Sequence, residues 1–141
     1  MSERPFATGG CICGAVTFTA RKPPMRMAQC CCRDCQRSSG TGHMSLAFFD
    51  EQGVEIRGDA TGYAATADSG NINTRYFCPT CGSRVFSRNS ARPGVVAIAV
   101  GSAEDSAWFE PGAVVYARSR PAWDTVKDTI PSFDTMPPPP K

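Results

Sequence analysis

The sequence predicts a mainly β domain of several short antiparallel strands with little helix, and two observations carry that prediction. Short β-type runs punctuated by Gly, Pro, Asn and Asp recur from end to end. Eight cysteines fall in three tight groups, Cys11-Ile12-Cys13, Cys30-Cys31-Cys32-Arg33-Asp34-Cys35 and Cys78-Pro79-Thr80-Cys81, so metal ligation is expected to tie such strands together. A chain of 141 residues suits one core.

The expected strands are Ala15–Ala20, Met44–Phe49, Val54–Arg57, Asn73–Phe77, Arg84–Ser87, Val95–Val100 and Ala113–Ala117. The first alternates small or polar residues with apolar ones, as a strand with one buried face does, and Pro23-Pro24 ends it. Val95-Val96-Ala97-Ile98-Ala99-Val100 is almost wholly apolar and rich in β-branched residues, which marks a central strand closed by Gly101. Brief helical turns are expected at Asp34–Ser38 and Ala122–Lys127. Residues 1–7 are expected to be a flexible N-terminus, residues 8–134 the metal-binding domain, and residues 135–141 a proline-rich C-terminal tail that cannot donate backbone hydrogen bonds through Pro137 to Pro140.

Apolar residues are 41% of the chain and charged ones 20%, with no apolar run long enough for a transmembrane helix. The polar start Met1-Ser2-Glu3-Arg4-Pro5 carries no export signal, so the expected location is cytoplasmic, where clustered thiols serve metals or catalysis more often than disulfides. The net charge of +2 comes from basic residues scattered among acidic ones, so neither nucleic acid nor a membrane is an expected partner. A monomer or a homodimer is expected.

Zinc held by thiolates is tetrahedral with Zn–S near ~2.3 Å, so its cysteines must lie close together. In Cys78-Pro79-Thr80-Cys81-Gly82 the two thiols sit three residues apart in a tight turn, with Pro79 presetting φ and Gly82 free to take φ > 0. Cys11 and Cys13, two residues apart on a strand, would project to one face. Together these four supply a closed structural site. In the central cluster Cys30 and Cys32 share a face and Cys35 returns to it through a turn, while Cys31 points away. Three thiolates cancel the charge of one zinc with one to spare and leave it a further ligand position, which suits thiol chemistry better than hydrolysis. Two alternatives stay open on ligand counting: two structural zincs with Cys31 or His43 as the eighth ligand, and metal-free redox thiols.

Gly10-Cys11-Ile12-Cys13-Gly14, Cys30-Cys31-Cys32-Arg33-Asp34-Cys35 and Phe77-Cys78-Pro79-Thr80-Cys81-Gly82-Ser83, with Phe109-Glu110-Pro111, Ser119-Arg120-Pro121-Ala122-Trp123 and Ile130-Pro131-Ser132-Phe133, resemble the glutathione-dependent formaldehyde-activating enzyme family, which also includes centromere protein V. The resemblance covers about residues 8–134. It implies a β-tent zinc-binding fold, a structural zinc on Cys11, Cys13, Cys78 and Cys81, and a catalytic zinc on Cys30, Cys32 and Cys35. It also implies a carbon–sulfur lyase that reversibly combines glutathione, as co-substrate, with formaldehyde or another small aldehyde. A non-catalytic two-zinc binding or scaffold module is the alternative it allows. Cys31 stands where the family pattern usually has histidine. Arg33 and Arg37 are candidates to meet the carboxylates of an anionic thiol. His43, the one histidine, is read as structural or superficial for want of a visible partner. Trp108, Phe109 and Trp123 are read as core or rim aromatics, and Glu104-Asp105 as a turn after the central strand.

Overall fold

The computed structural model describes residues 4–137, in which ten strands form two sheets and one short α-helix. β1 (Ala7–Gly10), β2 (Thr17–Ala20) and β5 (Val54–Arg57) make a small antiparallel sheet in the order β1-β2-β5. The large sheet contains β3 (Arg26–Cys30), β4 (Met44–Asp50), β6 (Thr61–Thr66), β7 (Ile72–Phe77), β8 (Arg84–Asn89), β9 (Val95–Ala99) and β10 (Ala113–Val115). Its order is β10-β3-β4-β9-β8-β7-β6, which puts the apolar β9 in the middle, where both of its faces are covered.

The mainly β expectation holds, with differences that have local causes. β10 pairs with β3 in parallel, so the large sheet is not wholly antiparallel. β1, β3 and β6 escape the apolar pattern because they read Ala-Thr-Gly-Gly, Arg-Met-Ala-Gln-Cys and Thr-Gly-Tyr-Ala-Ala-Thr, and packing rather than propensity makes them strands. Val100 leaves β9 for a tight 3₁₀ turn, Val100–Ser102. The turn expected at Asp34–Ser38 is the helix α1 (Arg33–Ser39). Ala122–Lys127 is not helical: Asp124 N donates to Pro121 O at 3.0 Å, closing a single turn.

Both ends of the described chain are built into the fold. Phe6 packs its ring 5.3 Å from Trp108 and 6.4 Å from Phe49, and Ala7 is buried in β1, so order reaches into the segment expected to be flexible. Residues 1–3 lie outside the described residues. At the other end Phe133 N donates to Val114 O (2.9 Å) and Tyr116 N to Thr135 O (3.1 Å), which lays residues 131–135 beside β10. The proline run beyond Pro137 also lies outside the described residues.

Strand alternation divides the large sheet into two faces with different duties. Val96 and Ile98 of β9 and Ala47 and Phe49 of β4 turn towards the small sheet, meeting Phe18, Val16, Val85 and the cysteines Cys11 and Cys78. Ala97 and Ala99, with Leu46 and Phe48, turn the other way and meet Cys30, Cys32, Cys35 and Met44. The two cysteine sites therefore belong to opposite faces of one sheet. Phe18 is the largest of the fully buried side chains between the sheets. Phe18→Ala should cost about 3–5 kcal/mol, read as a lower midpoint in urea at unchanged slope; a loss under about 1 kcal/mol would mean that the sheets close over the gap.

Candidate functional site

Two turns build the four-cysteine site. Cys11 and Cys13 lie not on a strand, as expected, but in the turn that joins β1 to β2. Gly14 N donates to Cys11 O at 3.1 Å, and Gly14 takes φ +81°, which lets the chain fold the two sulfurs to one side, 3.7 Å apart. The second turn joins β7 to β8: Gly82 N donates to Cys78 O at 2.8 Å with Gly82 at φ +78°, as the Cys-Pro-Thr-Cys-Gly pattern anticipates. Cys78 Sγ then lies 3.6 Å from Cys13 Sγ, across a separation of 65 residues.

Local polar groups favour the thiolate at two of these cysteines, Cys11 and Cys81. Val16 N donates to Cys11 Sγ at 3.2 Å, and this bond is the main reason that the Cys11 thiol is pulled below its usual pKa. Ser83 Oγ is 3.3 Å from Cys81 Sγ, and its hydrogen bond leads the effects that lower Cys81 to about 5. All four sulfurs lie within 4.8 Å of one another, an arrangement that could hold a metal ion. The S···S distances of 3.6 and 3.7 Å are close to the ~3.8 Å edge of a tetrahedron with ~2.3 Å bonds.

Three elements build the other site. Cys30 is the last residue of β3, Cys32 caps α1 with extended backbone (φ −62°, ψ 158°), and Cys35 lies in the first turn of that helix, its N–H donating to Cys32 Sγ at 3.3 Å. Their sulfurs also lie within 4.8 Å of one another. As thiols alone, the three share one charge. Hydrogen bonds from Cys30 and then Cys35 hold Cys32 as a thiolate down to about 2, whereas Cys30, bonded to Cys32 and Cys35, is pushed far above its usual pKa. A second and third thiolate at this spacing require a cation among them, so the donor set fits a divalent metal ion.

Cys31 is turned away from this trio, as alternation requires, but not to the surface. It is wholly buried, and burial followed by the carboxylate of Asp124 raises its thiol to about 11, far from the reactive range. Cys31→Ser should keep the full metal content and cost about 1–2 kcal/mol for burying a hydroxyl in place of a thiol. Metal analysis beside a urea titration checks this; loss of metal would make Cys31 a ligand.

His43 has the partner that its sequence surroundings did not reveal. Its Nδ1 donates to Asp124 Oδ2 at 2.8 Å, a carboxylate being an acceptor only, and its Nε2 then accepts from Gln29 Nε2 at 3.2 Å. Asp124 is buried and lies 81 residues away, in the segment read as helical. Both imidazole nitrogens are engaged in joining β3 to the C-terminal segment. Trp108 packs with Phe6 and Phe49, while Trp123 is 68% exposed.

The cysteine trio lies in the wall of a cavity of about 500 Å³ on the outer face of the large sheet. Arg33 lines it. Arg37, one turn or ~6 Å further along α1, is exposed and does not. Arg26, Arg75, Arg92 and Arg118 line it too, so five arginines face two aspartates, Asp34 and Asp68. The alternation that marks Cys30 also carries through Ala28 to Arg26, which is the one sequence signal that points to any of these four. Tyr116, Met136 and Pro137 complete the rim, so part of the segment expected to be a loose tail borders the site. Tyr116 holds a left-handed backbone (φ 55°), an uncommon conformation for a bulky residue, directly after β10.

The family model described as glutathione-dependent formaldehyde-activating enzyme matches residues 6–119. The chain belongs to this family. Its fold is also similar to that of a Rhodobacter sphaeroides protein known from a crystal structure, with 22% identity and a TM-score of 0.53, covering 69% of this chain and 87% of that one. No curated protein matches the chain. The matched span contains both the four-cysteine and the three-cysteine cluster. No helix among the described residues is long and apolar enough to cross a membrane.

Proposed function

We propose that the protein is a zinc-dependent carbon–sulfur lyase that reversibly joins a small anionic thiol, glutathione first, to formaldehyde or a similar small aldehyde. The observation that carries this reading is the placement of the Cys30/Cys32/Cys35 trio in the wall of an arginine-lined cavity, in a chain of the formaldehyde-activating family. On this reading Cys11, Cys13, Cys78 and Cys81 hold a structural zinc and Cys30, Cys32 and Cys35 hold a second one. The second zinc, with only three protein ligands, would stabilise an incoming thiol as its thiolate.

The chain's own residues do the rest. Arg33 and Arg118, at the cavity wall, bind the carboxylates of the thiol through guanidinium hydrogen bonds and orient it. The apolar side chains of Leu46, Phe48 and Val115 limit water around the reacting atoms. The thiol sulfur donates its electron pair to the aldehyde carbon, the C=O π pair moves to oxygen, and that oxygen takes up the proton that the thiol released. The reverse reaction returns thiol and aldehyde. Holding both reactants in one cavity supplies the acceleration by proximity.

Magnetisation-exchange NMR on mixtures of glutathione and formaldehyde, with and without the zinc-loaded protein, tests the reading. Adduct exchange faster than the spontaneous rate, and restored by zinc after chelation, is the expected result. A rate equal to the spontaneous one at every protein concentration would remove the lyase assignment for this pair.

A further inference from the structure

Two half-buried arginines near the cysteine trio have no carboxylate partner among the described residues. The Nε atoms of Arg75 and Arg84 are both buried without a hydrogen-bond acceptor. The ion pairs among the described residues join Arg21 and Arg57 to Glu55, Arg88 to Glu51 and His43 to Asp124, so neither arginine meets a carboxylate. Arg84, the first residue of β8, reaches over to α1, where Nη1 donates to Ser38 Oγ at 2.7 Å. Ser38 lies three residues after Cys35 on that helix. Arg75 lies on the cavity face of β7, opposite Ser87. A half-buried guanidinium whose Nε is shut off from solvent and which has no counter-charge is costly, so a fold that keeps two of them implies an anion near them. Arg75 lines the same cavity as Cys30, Cys32 and Cys35, and Arg84 is tied through Ser38 to the helix that carries Cys35, so the trio's thiolates are the anions these two arginines share.

We propose that Arg75 and Arg84 are positioning residues that serve as the counter-charge of the Cys30/Cys32/Cys35 cluster and bias the metal held there towards an anionic fourth ligand, a thiolate rather than a neutral donor. This rests on the metal reading given above and specifies what that site prefers. Three thiolates and a divalent ion carry one net negative charge, and by itself that charge repels an incoming thiolate. Two fixed guanidinium groups reverse the sign of the local balance. Burial, and then the neighbouring Arg75 charge, lowers the Arg84 guanidinium to about 10, so it stays charged at neutral pH.

The test uses the full chain loaded with cobalt and follows its visible spectrum during titration with 2-mercaptoethanol, which binds as thiolate and releases its proton to solvent, and with imidazole, a neutral donor. In Arg84→Met and Arg75→Met the thiol should bind about tenfold more weakly, the order that one unit charge contributes at short range in a partly buried site, while imidazole binds within about twofold of wild type. Arg84→Lys should restore most of the thiol affinity, and Arg75→Met carries the test alone if Arg84→Met does not fold. Equal weakening of both ligands, or of neither, overturns the counter-charge while leaving the metal in place. If the wild type shows cobalt–thiolate absorption for only the four-cysteine site, the metal reading fails first and this proposal falls with it.

Discussion

Cys78→Ser is expected to leave no folded protein at room temperature. Cys78 is completely buried, and its sulfur joins the β7–β8 turn to the turn between β1 and β2, bridging the large and small sheets at the edge of their shared core. A structural zinc site contributes on the order of 10 kcal/mol to folding, whereas a domain of this size has a net stability of only about 5–15 kcal/mol. Serine is a poor zinc ligand and a buried hydroxyl at this point has lost its partner. Far-UV circular dichroism of the variant, compared with wild type unfolded by a strong chelator, checks the expectation. A variant that melts within a few degrees of wild type would show that the four thiols are dispensable, and the structural role assigned to that metal would have to be withdrawn.

The same contrast between local and distant information explains what was legible in the sequence. The cysteine spacings announce both clusters because each depends on short-range geometry: a Cys-Pro-Thr-Cys-Gly turn, a Cys-Ile-Cys pair beside glycine, and a helix that opens between Cys32 and Cys35. The apolar run from Val95 names the middle strand because only a strand covered on both sides reads that way. What was not legible depends on register. Cys11 and Cys13 were expected to share a strand face, yet a turn brings them together, since the two glycines that flank them permit either solution. β10 joins β3 in parallel only because the chain returns after a long excursion, and no local pattern encodes that return.

The cavity was the least legible part. Arg75 and Arg118 reach the wall from β7 and from the segment after β10, elements 43 positions apart in a chain whose charges look scattered. Asp124 meets His43 across 81 residues, so a histidine with no visible partner becomes a half-buried structural link. Arg37 shows the converse error. It is adjacent in sequence to the cysteine cluster, but the helix carries it out to solvent. Nearness along the chain identified the thiols of each cluster and failed for the groups that line the cavity.

Cys35→Ser should separate function from folding. Cys35 packs with Met44, Leu46, Ala97 and Ala99 on the outer face of the sheet, away from the inter-sheet core that holds Cys11 and Cys78. The substitution leaves two thiolates in place of three, below the donor set that holds zinc firmly, and it does not disturb the four-cysteine site. The expected product is a folded protein, destabilised by about 1–2 kcal/mol, that binds one zinc per chain instead of two. Its exchange of glutathione with the formaldehyde adduct should fall to the spontaneous rate, because the remaining cavity can still bind the carboxylates but no longer holds the sulfur as a thiolate. Metal analysis, a urea titration and the NMR exchange measurement on one preparation check the three parts separately. A variant that keeps two zincs identifies another ligand, a variant that unfolds makes the trio structural, and a variant with one zinc and undiminished exchange places the chemistry elsewhere on the chain.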